Sequence, residues 1–243
     1  MIDTSIVVTN YNSEFFIPRA LKSVFAQTYP AERYELIFVD DGSSDRSVMV
    51  ADVFMKKNNE KGIKTSIIKK ENGGTASARN AGVEASSGMY IGFLDVDDSY
   101  LPEKTSKSVN ILSSCVCVDI VYSDYITEWS GSEHSLTMKP PYSLDRLFET
   151  CVISTNSFVK KSAIDRVGGF DEKIKIIEDY DLWLRICASG GMAKHIPQHL
   201  FTYTEHELSK TNQEKSNGMS LFEKETSLIK NRVMRGDYYV QNA

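Results

Sequence analysis

Long apolar runs are missing from this chain of 243 residues. Stretches such as Tyr90 to Leu94 are strand-sized, whereas a bilayer-spanning helix needs about 18 apolar residues in a row, so no membrane span is expected. Cysteine is scarce. Cys115, Cys117, Cys151 and Cys187 contain no Cys-x-x-Cys pair and sit in apolar or amphipathic stretches, which suits reduced core thiols better than zinc ligation or a disulfide framework. Neither sign of charge dominates: 28 Lys and Arg against 33 Asp and Glu leave a net charge of -5. That balance offers no general attraction to phosphate backbones or anionic lipid, and nucleic acid is not expected as a partner. Met1, Ile2 and Asp3 lead straight into the apolar Ile6, Val7 and Val8, without the basic, apolar and small-residue order of a secretory leader, so a cytoplasmic location is expected. The common phosphate-binding signatures are also absent. There is no Gly-x-x-x-x-Gly-Lys-Ser/Thr, and Asn72-Gly73-Gly74 lacks the Gly-x-Gly-x-x-Gly spacing, which weakens P-loop, kinase and dinucleotide-binding readings. No Pro-rich or Gly/Ser-rich linker and no internal repeat divides the chain.

What is present is an ordinary globular composition, 41% hydrophobic and 25% charged, long enough for one large domain or one domain with an appendage. The first hundred residues alternate short β-branched runs with helical-period segments, the pattern of βαβ units around a mostly parallel sheet. Strands are expected over residues 5–9, 35–40, 65–69 and 90–95, and helices over 16–26, 47–57 and 76–85. Right-handed crossovers align the loops after these strands along one sheet edge. Beyond Pro102 the alternation loosens. Residues 119–127, 193–196 and 200–203 read as strands, Ser130-Gly131-Ser132 as a turn, Pro140-Pro141 as a break before a short helix, and 179–188 as a helix. The expected organisation is residues 1–208 as one α/β domain, with a nucleotide-binding half (1–100) and an acceptor-binding half (101–208). A helical extension (209–243) follows, in which the polar stretch 209–218 precedes a helix over 221–235.

Asp40-Asp41-Gly42-Ser43 ends the second expected strand and Asp95-Val96-Asp97-Asp98 the fourth. A lone acidic pair in such a place is usually a solvated turn or a helix cap. Two clusters at one edge are another matter: crowded like charges repel unless a cation or basic ligand compensates, which points to a hard divalent metal and an anionic substrate. Magnesium or manganese held by one or two carboxylates commonly completes its shell with substrate phosphates, and so a nucleotide diphosphate is suggested.

Six segments in order resemble the motifs of family 2 glycosyltransferases with the GT-A fold. They are Val7-Val8-Thr9-Asn10-Tyr11-Asn12, Ser23 to Pro30, Val39-Asp40-Asp41-Gly42-Ser43-Ser44-Asp45, Asn72-Gly73-Gly74 through Gly82, Phe93 to Asp98, and Glu178-Asp179-Tyr180-Asp181-Leu182-Trp183-Leu184-Arg185. The resemblance covers roughly residues 4 to 210. It implies a Rossmann-like, mostly parallel central sheet flanked by helices, with a smaller acceptor-side sheet. It also implies an inverting, metal-dependent enzyme that moves a sugar from a nucleotide-diphospho-sugar, expected to be a UDP-sugar, to a hydroxyl of a glycan or lipid-linked acceptor in cell-surface glycan synthesis. By the same resemblance Asp41 accepts a hydrogen bond from the imide of a uracil-like base, Tyr11 lies against that base, and Thr9 contacts it. A carboxylate only accepts, so it suits an imide N–H and discriminates against cytosine, while thymine and guanine remain open. Arg79 reaches the carboxylates or the diphosphate; Asp95 and Asp97 match the Asp-x-Asp motif that holds Mn²⁺ or Mg²⁺, with Asp97 in direct contact and Asp98 structural. Asp179 matches the general base, with Glu178 beside it on the substrate side; Glu178 and Asp181 are its rivals, since acidic residues in a helix first turn are also favoured by the helix dipole. His206, in a segment similar to the family's Tyr-Arg-x-His, is set to meet the metal or diphosphate, although Thr204 replaces the usual arginine.

In the tail, Leu221, Phe222, Leu228, Ile229 and Val233 form an apolar stripe beside Lys224, Lys230, Arg232 and Arg235. Such a helix can pack on the core, pair with a second copy, or lie on the inner face of a membrane as a peripheral contact. Two other classes gather carboxylates on similar sheets. A sugar-nucleotide pyrophosphorylase needs a Gly-rich, Arg-containing loop after the first strand, where this chain has Asn10-Tyr11-Asn12-Ser13; a receiver-like regulatory module needs an acidic pair where Thr9-Asn10 stands.

Overall fold

The computed structural model describes residues 1–129, 134–206 and 220–236. The expected turn at 130–132 and the polar stretch 209–218 lie outside them. Strands β1 (Thr4–Asn10), β2 (Tyr34–Asp40), β3 (Lys64–Lys69) and β4 (Tyr90–Asp95) run parallel in the order β3-β2-β1-β4. Every residue of β1 and β2 is buried, because helices cover both sheet faces and each strand side is apolar. Val7, Ile37, Val39 and Phe93 enter one core with α3 (Thr75–Ala85) and α7 (Glu178–Ala188). Ile6, Val8, Leu36, Phe38 and Leu94 enter the other, with α1 (Ile17–Phe25), α2 (Ser47–Asn58) and α4 (Lys104–Ser114). Helix α3 approaches β1 so closely that a Cβ on Gly82 would sit 2.3 Å from Val7 Cγ1. Only glycine permits that packing.

The second half extends the same sheet. Strand β8 (Phe158–Lys160) pairs antiparallel with both β4 and β6 (Val118–Trp129), β9 (Met192–Glu205) lies parallel to β6, and β5 (Ser99–Tyr100) and β7 (His134–Thr137) pair with β9 and β6. The later strands therefore join strands β1 to β4 through β8 in one nine-stranded sheet. Short helices α5 (Leu144–Glu149) and α6 (Lys161–Arg166) and the final α8 (Ser220–Arg235) complete the described elements. The two strands expected over 193–196 and 200–203 are one. Ile196 pairs with Ser123 and His199 with Asp124, so a bulge carries Pro197 and Gln198 past the ladder; proline has no N–H to donate there. Helix α4 carries little apolar signal, since its buried face includes Lys104, Thr105 and Ser108. The cysteine expectation needs correcting for two residues: Cys115 and Cys117 are exposed, in the turn between α4 and β6, whereas Cys187 is buried and Cys151 partly so; all four are free. No helix among the described residues is long and apolar enough to cross a membrane.

Candidate active site

The loops after β1 and β2 lock each other. Asn10 Nδ2 donates to Asp40 Oδ1 at 2.9 Å and to Ser43 Oγ at 3.1 Å, while Ser43 N donates to Asp40 Oδ2 at 3.0 Å. Asn12, at φ +47°, accepts from Ser44 N at 2.8 Å. Asp40 is thus spent on shaping the edge. Asp41 sits one residue beyond it, nearly buried, where Lys70 Nζ (2.7 Å) and Gly73 N (3.0 Å) donate to Oδ1 and Gly74 N (2.7 Å) to Oδ2. A carboxylate offers roughly four acceptor sites, so these three bonds leave about one for a ligand. Tyr11 is 51% exposed and, with Thr9 and Asp41, lines a cleft of about 370 Å³.

Arg79 is the hub of that cleft. Only 3% exposed, it donates through Nη1 to Glu178 Oε1 and through Nη2 to Asp95 Oδ1, both at 2.7 Å, and its guanidinium lies 5.6 Å from the Phe170 ring centre. Burial opposes its charge, but Asp95, Glu178 and Asp179 outweigh that and hold it above the ordinary arginine value. Thr9 Oγ1 also donates to Asp95 Oδ1, at 3.4 Å.

Asp97 and Asp98 diverge. Asp97 is partly exposed and its Oδ2 lies 3.0 Å from His206 Nε2, whose ring centre lies 4.7 Å from that of Phe16 with the planes tilted by 33°. Asp98 is buried, accepts from Thr204 N at 2.8 Å and from Asn156 Nδ2, and has its pKa pushed up by burial and by Asp97 and Asp95. Thr204, which stands where the resemblance expects arginine, meets this cluster through its backbone. For a divalent ion, the donor set of Asp97, with His206 beside it and Asp95 nearby, fits manganese or magnesium that takes most of its shell from water and phosphate oxygens. Among the described residues no group of three or more His, Cys, Asp or Glu side chains is arranged to hold a metal ion, so the protein would supply no more than two such ligands.

The three acidic residues of α7 have different surroundings. Glu178 is buried against Arg79. Asp181 is fully buried and faces Arg185 (2.7 Å) and Arg232 (3.3 Å), on the side away from the cleft lining. Asp179 is half-buried and lines the cleft; Thr155 Oγ1 donates to its Oδ2 at 2.5 Å and Tyr180 N to its Oδ1 at 2.8 Å. Each oxygen keeps a lone pair to receive a proton.

The cleft therefore brings together Thr9, Tyr11, Asp41, Arg79, Asp95, Asp97, Glu178 and Asp179, and His206 reaches it through Asp97. Sequence reasoning missed Lys70, whose partner lies 29 residues away, and Thr155 and Asn156, which reach Asp179, Asp98 and the Asp95 N–H from the segment before β8. It also missed the tail helix's part in the site. Ile229 of α8 is fully buried in the α3/α7 core, with Phe222 and Val233 packed on it, and Phe222 lines the cleft. The apolar stripe is turned inward, leaving Leu228 exposed at 42%.

Comparison with known proteins identifies the family. The family described as Glycosyl transferase family 2 matches residues 5–168. An uncharacterized glycosyltransferase of Rickettsia prowazekii is 32% identical over 191 residues, covering 74% of this chain and 57% of its own. The minor teichoic acid biosynthesis protein GgaB of Bacillus subtilis is 31% identical over 191 residues, 74% of this chain and 20% of that protein. The chain thus spans little more than half the length of the Rickettsia relative. Among solved structures, S. aureus TarS in complex with UDP-GlcNAc superposes with a TM-score of 0.71 at 20% identity, over 86% of this chain and 60% of that one. The mannosyltransferase PcManGT of Pyrobaculum calidifontis, in complex with GDP-Man and Mn²⁺, gives 0.68 at 17% identity, over 87% and 59%. With a family match across most of its length and the GT-A arrangement of sheet and helices, the chain belongs to glycosyl transferase family 2.

Proposed function

We propose that this chain is a glycosyltransferase that uses a nucleotide-diphospho-sugar, with UDP the expected nucleotide, and transfers its sugar with inversion to a hydroxyl of a cell-surface glycan or its lipid-linked precursor. The observation that carries this reading is the shared cleft: Tyr11, Asp41, Asp95 and Asp97 line it together with Asp179, and Arg79 bridges Asp95 to Glu178. In this reading Tyr11 stacks on the base and Asp41 spends its remaining acceptor site on an imide N–H. Arg79 orients the carboxylates around the diphosphate. Asp97 and His206 would hold Mn²⁺ or Mg²⁺, with Asp95 nearby. When bound, the ion neutralises charge that builds on the departing diphosphate. Asp179 takes the proton of the acceptor hydroxyl as that oxygen bonds to the anomeric carbon. The bond from carbon to diphosphate oxygen breaks on the opposite face, and its electron pair leaves with the nucleotide. Thr155 and the Tyr180 N–H fix the carboxylate for that task.

The nucleotide-sugar ligands of TarS and PcManGT support the donor class, and the teichoic acid role of GgaB supports the acceptor class. A thermal-shift panel of UDP-, dTDP- and GDP-sugars with manganese tests it, because a ligand that binds the native state raises its stability. Stabilisation by UDP-sugars is expected. A response to GDP-sugars alone would move the base assignment, and no response to any would overturn the donor reading.

A further inference from the structure

Helices α7 and α8 both lie beyond the stretch that matches the family, and a side chain of α8 meets the backbone that leads into α7. Glu225 is 5% exposed, and its carboxylate accepts from the backbone N–H groups of Lys175 (2.5 Å), Ile176 (2.8 Å) and Ile177 (3.3 Å). These are the three residues immediately before Glu178 and Asp179. Ile177, at the N-cap of α7, has no capping side chain of its own, and Glu225 supplies from another helix the negative charge and acceptor oxygens that a helix start favours. Such charge-assisted bonds are among the stronger hydrogen bonds. Arg232 brackets the same loop, donating to Asp171 at 2.9 Å and to Asp181 at 3.3 Å. Phe222, one turn before Glu225, walls the cleft beside Ile176 and Asp179.

We propose that α8 is a working part of the acceptor side of the cleft, with Glu225 the positioning residue that sets the 175–177 backbone and through it the carboxylate of Asp179. The inference rests on Asp179 acting as the base. Glu225 touches neither reactant; it acts through the loop whose amides it gathers. A glutamine keeps one acceptor oxygen of the two, and an alanine keeps neither, so the effects should grade in that order.

Amide hydrogen exchange on the full chain without any ligand is the first readout, and it does not depend on donor identity. Glu225→Ala should speed exchange at residues 175–181 by about tenfold or more, with Glu225→Gln between it and wild type, while amides of β1, β2 and β4 keep their protection. Turnover of UDP-GlcNAc and of GDP-mannose, with UDP and GDP affinity measured alongside, is the second. Glu225→Ala should lower turnover about tenfold or more while nucleotide affinity stays put, and Glu225→Gln should recover part of it. Unchanged exchange at 175–181, or exchange that rises equally throughout the sheet, would overturn the proposal. So would full turnover in Glu225→Ala. If wild type turns over neither donor, the functional reading fails while the exchange result still decides whether Glu225 sets the loop.

Discussion

Arg79 and Glu178 lie 99 positions apart in sequence and meet at 2.7 Å with both side chains almost wholly buried. Their ion pair joins the helix after β3 to the helix that carries Asp179, so the two halves of the cleft share one charge network. Arg79→Met should strip Glu178 and Asp95 of their common partner. Breaking a buried pair by removing one member typically costs about 3–5 kcal/mol, which urea denaturation at neutral pH would register. Adding Glu178→Gln should recover part of that loss, and a double-variant loss equal to the sum of the two single losses would mean that the pair is not coupled.

Asp97 and His206 lie 3.0 Å apart, and in the proposed reading they would hold the ion. Calorimetric titration with UDP should therefore give tighter binding with manganese than with chelator in wild type. Asp97→Asn should lose most of that difference and His206→Ala a smaller part. Identical binding with metal and with chelator in wild type would remove the metal assignment.

Lys104 is fully buried, its ammonium 2.8 Å from Ser123 Oγ and 5.1 Å from the Phe201 ring centre. Burial pushes its pKa down to about 7 from 10.5. In the unfolded chain the amine keeps its proton up to about pH 10, so the unfolded state binds more protons between those values and stability gains from this group as pH rises. The sign is that of a depressed folded pKa: the contribution is whole above 10.5 and is lost as pH falls through 7. Lys104→Met should stabilise the protein most at pH 7 and below, with the advantage narrowing toward pH 10 in chemical denaturation. An advantage that does not vary with pH would show that the lysine keeps an ordinary pKa in the fold.

The strand ends were legible because parallel strands buried on both faces read as apolar runs, and Asp40-Asp41 and Asp95 to Asp98 follow two of them directly. Adjacent acidic residues were harder to separate. Asp179 and Asp181 differ in that one faces Thr155 and the cleft and the other two arginines from α7 and α8, a distinction of helical phase and tertiary contact. Glu225 left no trace in the pattern, since its partners are backbone N–H groups about fifty positions away, and an amide bears no side-chain signature. Helix α4 stayed hidden for a related reason: Thr105 is buried and satisfied by Gln27, and Lys104 by Ser123, so polar residues occupy core positions.

The proposed role of Asp179 as the base is tested most directly by turnover of the stabilising sugar nucleotide by Asp179→Asn, set beside its UDP affinity. Asparagine preserves the shape and the Thr155 contact but cannot take the acceptor proton. Neutralising a general base typically costs about 10²- to 10⁴-fold in rate, so the variant should lose that much turnover while binding UDP as wild type does. Asp181→Asn, whose carboxylate meets Arg185 and Arg232, should instead lose stability and keep most of its turnover. Near-normal turnover in Asp179→Asn, or a deeper loss in a folded Glu178→Gln or Asp181→Asn, would contradict the assignment.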